Sequence, residues 1–379
     1  MAVLTEEQSI FRDAAKSWVA DRAPVATLRR LRNESGWVVG YDPAVWRDMA
    51  QMGWAGVIIP EEFGGSDFGC KSLGLVLEET GRTLTASPLL STSLTGASAL
   101  VLGGTAAQKE AWLPRIAAGG ILVALAVDET AHHAPEAVSM RAAQSGAGYV
   151  LSGKKRFIPD ASSADLIVVA ARTGGKPGQT EGMTLFLVER GAVGLETMRL
   201  HAIDTRAAAD LTFDQVAMST EDVLGEPGKG WDVLEPVLDR ARAGLAAEML
   251  GTASQAFDIT LDYLKTRNQF GQSIGAFQAL QHRAAKMFTE LELTRSAVEA
   301  AFEAIDAGAE DIAALASLAK ARANDTLHLV SNEMVQMHGG IGMTDAHDAG
   351  LYMKRARVAE ALYGSSRYHR DRYARLGGY

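Results

Sequence analysis

The spacing of apolar residues along this chain changes period twice, and that alone restricts it to a helix, sheet, helix plan. From Thr5 to about Ala118 the apolar positions recur at helical spacing, as in Ile10, Phe11, Ala14, Ala15 and Trp18 behind a Thr5-Glu6-Glu7-Gln8 capping signature. Pro60-Glu61-Glu62-Phe63-Gly64-Gly65 reads as a break between helices, and Gly103-Gly104-Thr105 as the opening of another. From about Gly119 the apolar runs shorten and read as strands separated by turn residues, over 121–127, 166–171, 183–188 and 210–214. Gly225-Glu226-Pro227-Gly228-Lys229-Gly230 closes this part by turn chemistry. Helical periodicity then returns over 243–264, 276–307 and 313–337, alanine-rich and apolar on more than one side. The expected fold is α+β: an N-terminal helical domain (1–118), a small β-barrel or sandwich domain (119–228), and a C-terminal four-helix bundle (229–379) that packs within the subunit and against other subunits.

A chain of 379 residues exceeds what one hydrophobic core organises, which agrees with several domains. Its 46 acidic and 37 basic residues give a net charge of -9 with no basic tract, which argues against nucleic acid as the main partner. Leu28-Arg29-Arg30-Leu31-Arg32 has the spacing of a helix with one apolar side and reads as a solvated face. The single cysteine, Cys70, cannot form an internal disulfide, no cysteine-histidine cluster offers a metal site, and no neighbouring base activates the thiol. No secretory signal is visible at the N-terminus, and no apolar segment reaches the roughly 18 residues that cross a bilayer. A cytoplasmic protein with no membrane partner is the expectation.

Three segments carry chemistry. They are Gly153-Lys154-Lys155-Arg156-Phe157-Ile158 in the β part, Arg267-Asn268-Gln269-Phe270-Gly271 followed by Gln278, and Gln336-Met337-His338-Gly339-Gly340. Each has an ordinary reading alone: a core strand aromatic for the first, a Gly-Gly helix terminator for the last. In this order, with Arg242 on the preceding helix, they resemble the acyl-CoA dehydrogenases from about Thr5 to the C-terminus. The resemblance implies a tetrameric flavoprotein that holds FAD, oxidises an acyl-CoA thioester to its 2,3-enoyl product and passes electrons to an electron-transferring flavoprotein. It implies that Phe157 stacks near the flavin, and that Arg267, Phe270, Gln278, Gln336, Gly339 and Gly340 reach toward a neighbouring subunit's FAD, with Ser365 also at the cofactor. An arginine fork suits the pyrophosphate, and paired glycines let backbone approach closely where a β-carbon would collide. The substrate's α-proton is weakly acidic, so the family's reaction needs a carboxylate base in a dry pocket.

That base is missing from its usual places. Where the family carries a glutamate in a Tyr-Glu-Gly-Thr-like tail, this chain reads Leu362-Tyr363-Gly364-Ser365-Ser366, and a phenol titrating at about 10 is a poor base at neutral pH. The second seat used by the family, in Leu238-Asp239-Arg240-Ala241-Arg242, is Ala241. A third departure lies in the β part, where a segment close to Thr-Glu-Pro and Gly-Ser-Asp becomes Asp128-Glu129-Thr130-Ala131-His132-His133-Ala134-Pro135-Glu136, and the threonine after the aromatic becomes Pro159, which has no donor.

The losses fall toward the reactive ring, whereas the residues that reach a neighbour's cofactor survive. The expectation is a non-equivalent subunit that completes a partner's FAD site, as in heteromeric members of the family for steroid-derived and other bulky acyl-CoAs. Two alternatives stay open: a homomeric dehydrogenase with a relocated base, Glu360 or Glu248, and a non-catalytic acyl-CoA-binding homologue. His369 is a further candidate because histidine as a residue type titrates near neutrality, but its charged neighbours predict an exposed terminal helix beyond the active site. His132-His133 reads as a solvated loop. No short motif selects the acyl group, because cavity shape does.

Overall fold

Thr5 opens the first helix as its sequence predicts. Its hydroxyl accepts the Gln8 N–H at 3.1 Å, and Gln8 Oε1 accepts the Thr5 N–H at 3.3 Å. The computed structural model describes residues 4–33 and 40–379. Before the first strand it places α1 (Glu6–Arg22), α2 (Val25–Asn33), α3 (Pro43–Gln51), α4 (Gly69–Arg82), α5 (Ala97–Gly103) and α6 (Ala106–Ala117). A second reciprocal cap, between Thr105 and Gln108, starts α6 directly after the paired glycines. Arg29 on α2 is not a solvated charge: it donates to the Asp348 carboxylate and to the Asp345 carbonyl, each at 2.7 Å. Between α4 and α5 the buried segment Leu89–Gly96 winds as a π-helix, and Thr95 donates to the Ser91 carbonyl at 2.6 Å.

The strands are β1 (Val123–Ala126), β2 (Arg141–Ser145), β3 (Gly148–Pro159), β4 (Leu166–Arg172), β5 (Met183–Glu189), β6 (Leu195–His201), β7 (Ala207–Met218) and β8 (Val223–Leu224). They form one sheet in the order β6-β7-β3-β2-β4-β5-β8, with β1 parallel to β4. Ala124, Leu151, Ile167, Phe186, Leu211 and Phe213 belong to its core. After Gly230 come α7 (Trp231–Thr266), a hairpin of β9 (Asn268–Gln269) and β10 (Gln272–Ser273), α8 (Gln278–Ala307), α9 (Ile312–His338), α10 (Ala349–Ala361) and α11 (Ser366–Leu376).

Contacts divide the chain into two compact units: Met1–Arg30, Gly74–Thr85 and Arg242–Tyr379 make a helical one, and Leu31–Leu73 with Ala86–Ala241 one built on the sheet. In the helical unit α4 and α7 touch backbone to backbone. A β-carbon on Gly81 would lie 2.1 Å from the Glu248 carbonyl oxygen, and one on Gly251 would lie 1.8 Å from that of Glu78. Among the described residues no helix is long and apolar enough to cross a membrane, and no group of three or more acidic, histidine or cysteine side chains could hold a metal ion.

Candidate functional site

Phe157 stands where β3 slips out of register. Lys155 pairs with Leu211 and Ile158 with Ala209, so Arg156 and Phe157 together face Asp210. The Asp210 carboxylate accepts the Phe157 N–H at 2.9 Å, and Arg156 donates to its other oxygen. Phe157 has φ of +54° and is 55 % exposed. Left-handed backbone in an aromatic residue costs about 1–3 kcal/mol. The ring is therefore held outward at a cost and is no core aromatic, while Pro159 beside it offers no donor.

Under this bulge the fully buried Lys155 donates to Glu129 at 2.8 Å and to the Val127 carbonyl at 2.9 Å. Glu129 also accepts the Ser139 and Met140 amides, each at 2.9 Å. Burial pushes its pKa up, but the Lys155 charge and these bonds outweigh burial and hold the carboxyl below its ordinary value. Glu129 lines a cleft of about 340 Å³ together with Thr130, His132, Ser139 and Lys154. Only half of the His132-His133 pair is solvated: His133 is buried and meets Asp128 at 2.9 Å. The expected loop is pinned because Asp128 also accepts the Ala134 N–H at 3.3 Å.

In the helical unit one aromatic contact joins two of the segments that the sequence singled out. Tyr263, near the end of α7, stacks on His338, the last residue of α9, with ring centroids 4.3 Å apart, and its hydroxyl reaches the His338 carbonyl at 3.4 Å. The hairpin with Arg267 and Phe270 follows Tyr263, and Gln336, Gly339 and Gly340 flank His338. All five are exposed, as is Gln278 at the start of α8. Arg283, one turn into α8, pairs with Glu333 on α9 at 2.5 Å and ties that start to the same helix. A β-carbon on Gly339 or Gly340 would meet nothing within 4 Å, so the space above them is open. His338 Nδ1 donates to the Met334 carbonyl at 2.7 Å, and burial lowers its pKa. A guanidinium, an exposed aromatic and two uncovered glycines fit a cofactor that bears phosphates and flat rings, as FAD does.

Tyr363, at the tail position where the resemblance places the base, also lies in this unit. Tyr363, just after α10, is buried with φ of +54°. The carbonyl of Gly364 accepts Lys320 Nζ and Asn324 Nδ2, each at 3.2 Å. Lys320, fully buried, also donates to Asn324 Oδ1 at 2.6 Å and to the Ala359 carbonyl at 3.0 Å. Burial pushes its pKa down to about 7, with Arg242 and Arg355 acting the same way and Glu360 opposing them. His369 is buried, not exposed, because its Nε2 turns inward to the Tyr363 carbonyl at 3.0 Å. Arg242 Nη2 meets the Tyr368 hydroxyl at 3.2 Å, and Ser365 caps α11 through the Tyr368 amide at 3.4 Å.

Both acids considered as relocated bases are held by arginines. Glu248 is buried against Arg355, whose Nε lies at 2.9 Å, and Glu360 meets Arg357 at 2.6 Å and His328 at 3.3 Å. Ala241 is fully buried on α7. Lys320, Asn324, Arg355 and Asp210 were not found from sequence. For Lys320 the signal existed, since Ala316, Ala323 and Leu327 place it on the apolar stripe of α9.

Family models of the acyl-CoA dehydrogenase N-terminal, middle and C-terminal domains match residues 5–120, 126–216 and 228–377. The chain belongs to the acyl-CoA dehydrogenase family. It is thus an oxidoreductase of a family of FAD-dependent flavoproteins, with helical N- and C-terminal domains around a middle β domain. This acyl-CoA dehydrogenase homologue is similar to cyclohex-1-ene-1-carbonyl-CoA dehydrogenase of Geobacter metallireducens, 32 % identical over 377 residues that cover 98 % of this chain and 97 % of that protein. Among solved structures it is similar to butyryl-CoA dehydrogenase from Megasphaera elsdenii, with a TM-score of 0.92, 26 % identity and 100 % of both chains covered. It is also similar to a variant of the Tcur3481-Tcur3483 steroid ACAD, with a TM-score of 0.88, 32 % identity and 98 % of both chains covered.

Proposed function

We propose that this chain is a subunit of a heteromeric, FAD-dependent acyl-CoA dehydrogenase, in which it completes a related chain's flavin site for a bulky or steroid-derived thioester. The observation that carries this reading is a division of labour among its own residues. The two seats for a base hold Tyr363 and Ala241, both buried, while Arg267, Phe270, Gln278, Gln336, Gly339 and Gly340 stay exposed. Likeness to the Tcur3481-Tcur3483 steroid ACAD, whose name joins two components and steroids, supports it.

Bound FAD supplies the hydride acceptor for 2,3-desaturation. Arg267 would hold its pyrophosphate, Phe270 would pack against its flat parts, and Gly339 and Gly340 would let backbone approach, with Ser365 at the start of α11 also at the cofactor. The carboxylate that takes the α-proton comes from the related chain, and electrons leave to an electron-transferring flavoprotein. The assembly is a tetramer in the cytoplasm, with domain limits near 118 and 228, a sheet closed as a barrel or sandwich, and α7 to α10 as a four-helix bundle. A homomer with a relocated base runs against the arginine pairing of Glu248 and Glu360.

Expression alone and together with the related chain encoded nearest to it tests the reading. Yellow colour and thioester turnover are expected only in the co-purified assembly. Bound FAD and brisk turnover in the chain alone would overturn it, and neither colour nor turnover in any combination would leave a non-catalytic acyl-CoA-binding homologue.

A further inference from the structure

We infer that Asp210 is a positioning residue that aims the Phe157 ring at the flavin. This rests on the flavoprotein reading above and goes beyond it, because nothing in that reading involves β7. Four observations converge. At the bulge two residues of β3, Arg156 and Phe157, oppose one of β7, Asp210. Its carboxylate takes the place of a ladder carbonyl: one oxygen accepts the Phe157 N–H at 2.9 Å, the other receives the Arg156 guanidinium. The Arg156 amide is bound in turn by the Asp128 carbonyl at 2.8 Å, so the bulge is fixed on both sides. Farther along, Asp160 also takes positive φ, +56°, and its carboxylate accepts the Ser91 hydroxyl from the buried π-helical segment at 2.5 Å.

A bulge raises the local twist and re-aims a side chain, and it needs some group to satisfy the amide that falls out of the ladder. Asp210 meets that need while remaining 7 % exposed itself, and the residue it directs is 55 % exposed. A strained backbone that carries an aromatic outward gains nothing from core burial. Such strain persists where surrounding groups over-determine it, and here those groups are the Asp210 carboxylate, the Arg156 guanidinium and the Asp128 carbonyl. The arrangement fixes the direction in which a flat ring leaves the strand, on which stacking beside another flat ring depends.

The test uses the FAD-containing assembly that this chain forms, with D210A, D210N, F157A and the double variant D210A/F157A. FAD affinity by flavin fluorescence and the visible absorption band of the bound flavin are read for each, with hydrogen exchange at the Phe157 amide as a measure of the clamp. D210A and F157A are each expected to weaken FAD about tenfold and to shift the band alike, and the double variant to be no weaker than either. D210N keeps an oxygen for the Phe157 N–H and is expected to recover to within about threefold of the parent. Fast amide exchange in D210A with parent FAD affinity and spectrum would overturn the inference while leaving the flavoprotein reading intact, as would single effects that multiply in the double variant. An assembly that holds no FAD would overturn that reading, and this one with it.

Discussion

Lys320 has three N–H donors and spends them on Asn324, Ala359 and Gly364, which leaves its charge enclosed with the Arg242 and Arg355 cations nearby. Its folded pKa is about 7, against about 10.4 in an unfolded chain. Between those values the unfolded chain holds more protons, so this group makes the protein more stable as pH rises from 7 toward 10. The gain is on the order of 1.4 kcal/mol per pH unit. Urea unfolding of the wild type and K320M at pH 6.5 and 9 reads it: the wild type should gain on the variant, and parallel curves would show that the amine is not destabilised as an ammonium. Glu129 behaves in the opposite sense. Its carboxyl is held below the ordinary value, so its contribution is present above the usual glutamate range of about 4.3 and disappears as pH falls through the lowered folded value. E129Q should flatten that acid limb in a near-UV circular dichroism titration, and K155M, which strips a half-buried carboxylate of its buried partner, should cost about 1–3 kcal/mol at pH 7.

The crossing of α4 and α7 places Glu248 and the turns around it, and it depends on two glycines that no periodicity reveals. G251A adds helix propensity worth about 1 kcal/mol, yet its β-carbon would sit 1.8 Å from the Glu78 carbonyl oxygen. Steric overlap wins, and a net loss of about 1–3 kcal/mol is expected. G350A, on α10 with nothing within 4 Å, should be neutral or stabilising, and equal losses in both variants by thermal melting would refute the close crossing. The elements that were legible share one property: their burial pattern is carried by their own residues. β4 and β5 are buried almost throughout and read as unbroken apolar runs, and α8 and α9 keep a helical stripe. β6, with Glu196, Thr197 and Met198 exposed, carries no such pattern, and β2 is little better, because each is held by ladder bonds to a neighbour rather than by burial. The candidate site divides the same way. Phe157, Arg267, Phe270 and the glycine pair were singled out because each sits in a short segment that carries the family resemblance, whereas Asp210 and Asn324 act on residues 40 or more positions away and leave no local trace, and Lys320 leaves only its place on the apolar stripe of α9.

Large apolar side chains remain uncovered in the helical unit: Phe270 is 89 % exposed and Met343, just past Gly339 and Gly340, is 79 % exposed. A folded chain gains almost nothing from residues so placed, so whatever they contribute comes from something outside the chain. That makes Phe270 a clean probe of assembly. Covering a phenylalanine by a partner and its cofactor is worth about 1.5–3 kcal/mol, a factor of roughly ten to a hundred in an equilibrium constant. F270S should therefore leave the melting temperature of the isolated chain unchanged, while the co-purified assembly loses FAD on dilution at least tenfold more readily. R267M should do the same with a stronger dependence on ionic strength in the parent than in the variant, since a guanidinium facing phosphates is screened by salt and a methionine is not. Loss of thermal stability in the lone F270S chain would mean that the ring is packed at home, and unchanged FAD retention in the assembly would mean that no neighbour's cofactor meets it.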